Sequence, residues 1–233
     1  MSLACERGVL TTRRSVAAAV IRWRDLGLVT AALATVIVGA SCSSAKNGVP
    51  VASATTVRPT STTVAPPASN VELASRLVTV IPSGFVVQPD QVGDTGPSDL
   101  AKAARDDGAP GAGQALRSEG FVRGYQRLWT GPADAQIILI VYQFATPAGA
   151  AADFQRGTPK LTSLVTTGVA PFTVDGLPPG QSAAIAGTSE GISAAAVLFT
   201  TSVFVVEVTC NGPTPSGLRE RASTIARDQY GRL

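Results

Sequence analysis

Gly187-Thr188-Ser189-Glu190-Gly191 satisfies G-x-S-x-G behind a short apolar run, the spacing that lifts a nucleophilic serine onto a strand-to-helix elbow in many hydrolases. A serine hydroxyl attacks poorly unless a base removes its proton, and the usual base is an imidazole. The chain contains no histidine. That absence removes the Ser-His-Asp triad, the Cys-His dyad, imidazole zinc sites and the histidine pH switch together. Lys102 and Lys160 are the lysines of the folded part, and no motif aligns either with Ser189. The pentapeptide therefore reads as a loop between two strands, with its glycines supplying positive φ.

Other groups with chemical potential are acidic. Asp90, Asp94, Asp99, Asp106 and Asp107 crowd a Gly/Pro-containing stretch, but their spacing does not match the alternate acids and terminal Glu of a calcium loop. They read as loop acids and helix caps, and no metal or cofactor is expected. The glycines between Gly108 and Gly113 lack the Gly-Lys-Ser/Thr that follows a phosphate cradle, so that run reads as a turn between helices. Asp153, Asp175 and Glu207 are the carboxylates through which a histidine-free enzyme acting on cell-wall or lipid substrates would work. Glu207 interrupts the apolar run VFVVEVTC, where strand alternation would turn a single Glu to solvent.

The segment FVRGYQRLWT offers a different possibility. Period-2 alternation puts Phe121, Arg123, Tyr125, Arg127 and Trp129 on one side of a strand. Arg123, Tyr125, Arg127 and Trp129 would then form an aromatic and arginine ladder able to stack on sugars, lipids or anionic groups. The competing reading places the aromatics in the core with the arginine stems packed along them, which is the ordinary behaviour of Arg on a sheet and is preferred.

Length and composition bound the rest. The 233 residues are 45% hydrophobic and 15% charged. That is too apolar for a fully disordered chain and suits one folded domain with appendages. Five of the 19 basic and two of the 16 acidic residues precede Cys42, so 14 of each remain beyond it. A neutral remainder with no Lys/Arg block disfavours nucleic acid as a partner.

Arg22 and Arg24 precede an apolar run, Leu26 to Ala40, that is shorter than the ~17 to 25 residues a spanning helix needs. Small residues, Gly39, Ala40 and Ser41, then lead into Cys42 and polar sequence. This order is that of a cleaved leader, residues 1–41, and is preferred over an uncleaved N-terminal membrane helix. Ala40, Ser41 and Cys42 resemble the lipobox of bacterial lipoprotein precursors, with Gly39 standing where that family usually has Leu, Val or Ile. The resemblance implies that Cys42 carries the lipid. Cys5 would be lost with the leader, leaving Cys210 alone at the end of an apolar strand, with no disulfide framework and a buried, inert thiol expected.

Residues 42–69 are rich in Ser, Thr, Ala, Val and Pro and cannot bury a core, so they read as a tether. From residue 70 to 233 the periodicities alternate. A short helix capped by Ser69 or Asn70 precedes a strand at Phe85–Val87, a helix with Ser98 as N-cap and a second helix over Ala112–Glu119. Phe121–Thr130 and Gln136–Ala145 form a hairpin whose second strand, apolar on both faces, should be central and covered on both sides. Thr146 caps a helix with Pro147 at its first position and Gly157 at its end. Strands follow at Pro171–Val174, Ser182–Ala186, Ile192–Phe199 and Val203–Cys210, and a helix over Pro215–Tyr230 closes the chain. The pattern predicts an α+β fold, a mostly antiparallel sheet with helices packed on it as a two-layer sandwich.

With Cys42, the Thr/Pro/Ala tether and the phrases GFVRGYQRLWT, FATPAGAAADF and IARDQYGRL, the chain resembles actinobacterial cell-envelope lipoproteins carrying a single extracytoplasmic α+β domain. That resemblance implies anchoring to the cell membrane through the N-terminal lipid, an envelope ligand or protein partner, and no shared activity to transfer. The expected function is a non-enzymatic binding or accessory module. The alternative is the carboxylate enzyme, which would need two or more polar groups converging in one pocket, where a binding module needs only an apolar groove or an exposed ladder.

Overall fold

The computed structural model describes residues 65–233. Cys42, the leader and most of the tether lie outside the described residues. The last tether residues touch the domain: the Ala65 and Pro67 carbonyls accept from Arg76 and from Gln143.

Among the described residues, eight strands form one antiparallel sheet. They are β1 (Val86–Val87), β2 (Gly96–Ser98), β3 (Phe121–Thr130), β4 (Gln136–Phe144), β5 (Thr167–Pro171), β6 (Ser182–Ser189), β7 (Ile192–Thr201) and β8 (Phe204–Gly212). The order across the sheet is β1-β3-β4-β8-β7-β6-β5, with β2 also paired to β3. The helices are α1 (Asn70–Ser75), α2 (Leu100–Asp107), α3 (Ala112–Ser118), α4 (Pro147–Gly157) and α5 (Leu218–Tyr230), and a 3-10 segment, Thr158–Leu164, continues from α4. The α+β class and antiparallel sheet follow from alternation in the long strands. The two-layer arrangement gains a second, partial helical layer, because α1 and α5 cover one face while α2, α3 and α4 lie on the other.

Local chemistry accounts for most element ends. Thr146 accepts from the Gly149 amide at the start of α4, with Pro147 in the first turn where its missing N–H is not needed. Ser69 caps α1 in the same way. The cap of α2 is Asp99, which accepts from the Lys102 amide, and not Ser98, whose backbone is taken into β2. The expected strand Pro171–Val174 lies earlier, at Thr167–Pro171, and Val174 instead packs into the core from the following loop. At the G-x-S-x-G motif, Gly187 to Ser189 belong to β6, and Glu190 and Gly191 turn with φ of 51° and 80° before β7. Two consecutive left-handed residues make a tight hairpin turn that matches strand twist. A strand-to-helix elbow is absent there.

The larger core lies under α1 and α5, where Ile137, Leu139 and Val141 of β4 meet Val206, Val208 and Cys210 of β8 and Leu218, Ala222, Ile225 and Ala226 of α5. Gln229 of α5, fully buried, accepts from the Val78 amide at 2.9 Å and donates to the Arg76 carbonyl at 3.2 Å, which ties the end of α1 to α5. On the opposite face, Phe144, Phe154, Leu161, Leu164 and Leu198 make a smaller cluster under α4 and the 3-10 segment. Helices cover only part of that second face.

Candidate functional site

The uncovered part of the second face is the floor of the main cleft. Alternation turns Gln136, Ile138, Ile140 and Tyr142 of β4 to this side, together with Gln126, Leu128 and Thr130 of β3 and Val205, Glu207, Thr209 and Asn211 of β8. The cleft measures about 380 Å³. One wall is the loop Gln88–Asp94; the other is the 3-10 segment, through Lys160, Leu161 and Leu164. Central position was expected of β4, and it does lie between β3 and β8. Cover on both faces was also expected, and here the structure differs: Ile138 and Ile140 are half-buried and look into the cleft.

At one end α2 and α4 close the cleft with a charged network. Arg156 of α4 holds Glu119 through two bonds of 2.8 and 2.9 Å and also pairs with Asp107 and Asp153. Lys160 pairs with Asp107. Lys102 of α2 donates to Asp106 at 2.7 Å and to Gln126 of β3 at 3.0 Å. Two glycines make room for this assembly. A Cβ on Gly149 would collide with the Glu119 carbonyl, so only glycine lets α4 start against the end of α3 and bring Arg156 to Glu119. A Cβ on Gly124 would strike the Tyr142 ring, which lies across it from the paired position on β4. The Tyr142 hydroxyl faces Asp106 at 3.5 Å.

Burial dominates the electrostatics. It pushes Asp153 up to about 7, against the pull of Arg156 and with help from Glu119 and Asp107. Asp106 is raised by burial despite Lys102, and Glu207 is raised by burial despite a 3.0 Å hydrogen bond from the Thr209 hydroxyl. Asp107 is lowered, because its bonds to Lys160 and Arg156 together outweigh its burial. Tyr142 is raised by burial and by the surrounding carboxylates.

Glu207 therefore does not point to solvent, as alternation suggested. Its cross-strand partners are Ile140 and Leu198, and all three share the cleft face. Of the three carboxylates singled out from the sequence, Asp153 and Glu207 line this cleft, while Asp175 is exposed in the loop after β5. Asp106 and Asp107, read as loop acids or caps, belong to the charged network. Cys210 is buried and unpaired, with its thiol pushed up to about 12 by burial, so it is poorly nucleophilic.

The ladder on β3 is not an exposed face. Trp129 is 2% and Tyr125 6% exposed, and both belong to the larger core. Arg127 stands 5.7 Å from the Tyr125 ring and reaches the Ala74 and Val78 carbonyls at 3.4 Å, with its stem under α1 and the turn that follows. The Tyr125 hydroxyl donates to the Asp90 carboxylate at 2.8 Å. Arg123 is half-buried on the same face, paired across the strands with Gln143. Phe121 leaves the set: a register shift between Phe121 and Arg123 turns it to the other face, where it meets Tyr142 and Phe144 edge-on at 5.4 and 6.0 Å.

No protein-family model and no curated protein matches the chain. Among solved structures it is similar to the extracellular domain of PknH from Mycobacterium tuberculosis, at 14% identity over 72% of this chain and 99% of that one, with a TM-score of 0.43.

Proposed function

We propose that the protein is a membrane-tethered, extracytoplasmic binding module whose cleft takes up an apolar or amphipathic envelope ligand. The observation that carries this reading is the uncovered apolar floor. Ile138, Ile140 and Leu128 occupy the middle of a sheet face that α4 and the 3-10 segment leave open, and polar side chains stand at both ends. Burial of apolar area is the main source of affinity in such sites, and the few polar groups set orientation. Support for the tether comes from the order of Arg, apolar run, small residues and Cys42 in the sequence.

A second reading, a histidine-free hydrolase, draws on Asp153 and Glu207 lining one cleft. Binding is preferred because the carboxylates are occupied: Asp153 by Arg156, Asp106 by Lys102 and Asp107 by Lys160 and Arg156. Among the described residues Glu207 and Asp94 are the lining acids without an ion pair, and they belong to different parts of the cleft, the floor and the exposed loop wall, where a hydrolysis needs an acid and a base converging on one bond.

The test uses N-phenyl-1-naphthylamine, an uncharged fluorophore that brightens in apolar surroundings. Saturable binding by the full chain is expected, with loss in Ile138→Trp/Ile140→Trp, which fills the floor. Absence of saturable binding, or binding unchanged by the double substitution, would remove the cleft from consideration. Fatty-acid labelling of wild type against Cys42→Ala checks the tether; equal labelling of both would refute it.

A further inference from the structure

Two features of the cleft constrain what its occupant must carry. The first is length. From Gln136 to Tyr142 the floor follows β4 for six residue steps, or roughly 20 Å at strand spacing. Ile138 and Ile140 occupy the middle, so an extended apolar body can lie along the strand with its head beside Ile140, next to the closed end.

The second feature is a charge imbalance at that closed end. Three cations, Lys102, Arg156 and Lys160, serve there, and each is engaged by Asp106, Asp107, Asp153 or Glu119. Two lining acids are left over, Asp94 exposed on the loop wall and Glu207 in the floor. Glu207 sits between Ile140 and Leu198, and among the described residues its side-chain partner is the hydroxyl of Thr209, which is uncharged. A carboxylate set in an apolar floor is costly without a partner of opposite sign, yet this one faces an open cleft. Among the described residues no three acidic or thiol side chains converge as metal ligands. Among the described residues an anionic ligand would meet Glu207 together with Asp94, Asp106, Asp107 and Asp153, and the one cation on the lining, Lys160, is already paired.

We propose that the cleft binds an organic cation, an amphiphile whose apolar body lies over Ile138 and Ile140 and whose ammonium group pairs with Glu207. This rests on the reading of the cleft as an apolar-ligand site and adds the chemistry of the head group. Burial raises Glu207 despite Thr209 and Lys160, and a cation bound beside it would favour its ionised form.

Three probes with one chain length separate the possibilities: dodecylammonium, 1-dodecanol and dodecyl sulfate, each kept below its micelle-forming concentration and titrated against bound N-phenyl-1-naphthylamine on the full chain. Dodecylammonium is expected to displace the fluorophore at about ten-fold or more lower concentration than dodecanol, the scale of one charge-assisted hydrogen bond in a partly buried site, with dodecyl sulfate the weakest. In Glu207→Gln the cation's advantage should vanish while dodecanol is unaffected. Equal displacement by all three probes, preference for the sulfate, or a cation preference that survives Glu207→Gln would each overturn the proposal while leaving an apolar-ligand cleft intact. If the fluorophore does not bind wild type at all, the underlying reading falls and the head-group assignment falls with it. The comparison among the probes stands on wild type alone, so it holds even where the variant fails to fold.

Discussion

Replacing Asp153 with Asn tests the electrostatics of the closed end through stability. Asp153 is 7% exposed, and burial raises its carboxyl from an ordinary 3.8 to about 7. A raised acid binds more protons in the folded than in the unfolded chain between those two values. Folding stability contributed by this group is therefore greatest below about pH 4, falls as pH rises through 7, and is flat above about pH 8. One site can contribute at most about 1.4 kcal/mol per pH unit. Between pH 5 and pH 7 that sets a ceiling of about 3 kcal/mol, or roughly 5 to 10 °C in Tm for a domain of this size. Asn cannot titrate, and Arg156 keeps Asp107 and Glu119 in the variant. Thermal melts of wild type and Asp153→Asn at about pH 5, 6, 7, 8 and 9 should therefore diverge: wild type loses more Tm than the variant on going from about pH 5 to 7, and the two run parallel from about 8 to 9. Curves that stay parallel across the whole range, or a steeper fall in the variant, would show that Asp153 ionises with an ordinary value and that burial does not govern the closed end.

Two further substitutions probe how the cleft is built. Trp129→Ala removes a side chain packed in the larger core and should cost about 3 to 5 kcal/mol in denaturant unfolding, whereas a binding-face role would leave stability untouched and remove only ligand binding. Gly149→Ala puts a methyl into the Glu119 carbonyl; a loss of about 1 to 3 kcal/mol is expected by the same measurement, with weaker fluorophore binding because α4 shifts off the cleft, and a variant as stable as wild type would show that this close approach is not required.

Much of the frame was legible in the sequence because it is set by short-range chemistry. Thr146-Pro147 starts a helix wherever a hydroxyl can take the first free amides and a proline can occupy the first turn, and α4 runs over the expected residues. Gly191 suits a hairpin turn because glycine takes positive φ without strain, whereas Gly187, also expected to supply positive φ, lies in β6, and Glu190 takes it instead where β6 pairs with β7. The missing histidines exclude whole classes of catalysis by composition alone. Alternation in VFVVEVTC assigned Glu207 to the face opposite the core valines, but alternation does not say whether that face meets water, a helix or a cleft.

Those outcomes belonged to tertiary structure. Phe121 left the ladder through a register shift that depends on how β3 pairs with β4. Gln229, a polar residue of α5, is fully buried because Val78 and Arg76, just past α1, offer it an amide and a carbonyl from more than 150 positions away. The charged end of the cleft joins Lys102, Glu119 and Arg156 from two helices and a helix end, and Glu207 stands near it on a strand. Caps, turns and strand faces depend on neighbours within a few residues and can be read from the chain alone. The uncovered floor and its carboxylate left without a cation depend on which distant elements pack together, and only folding decides that.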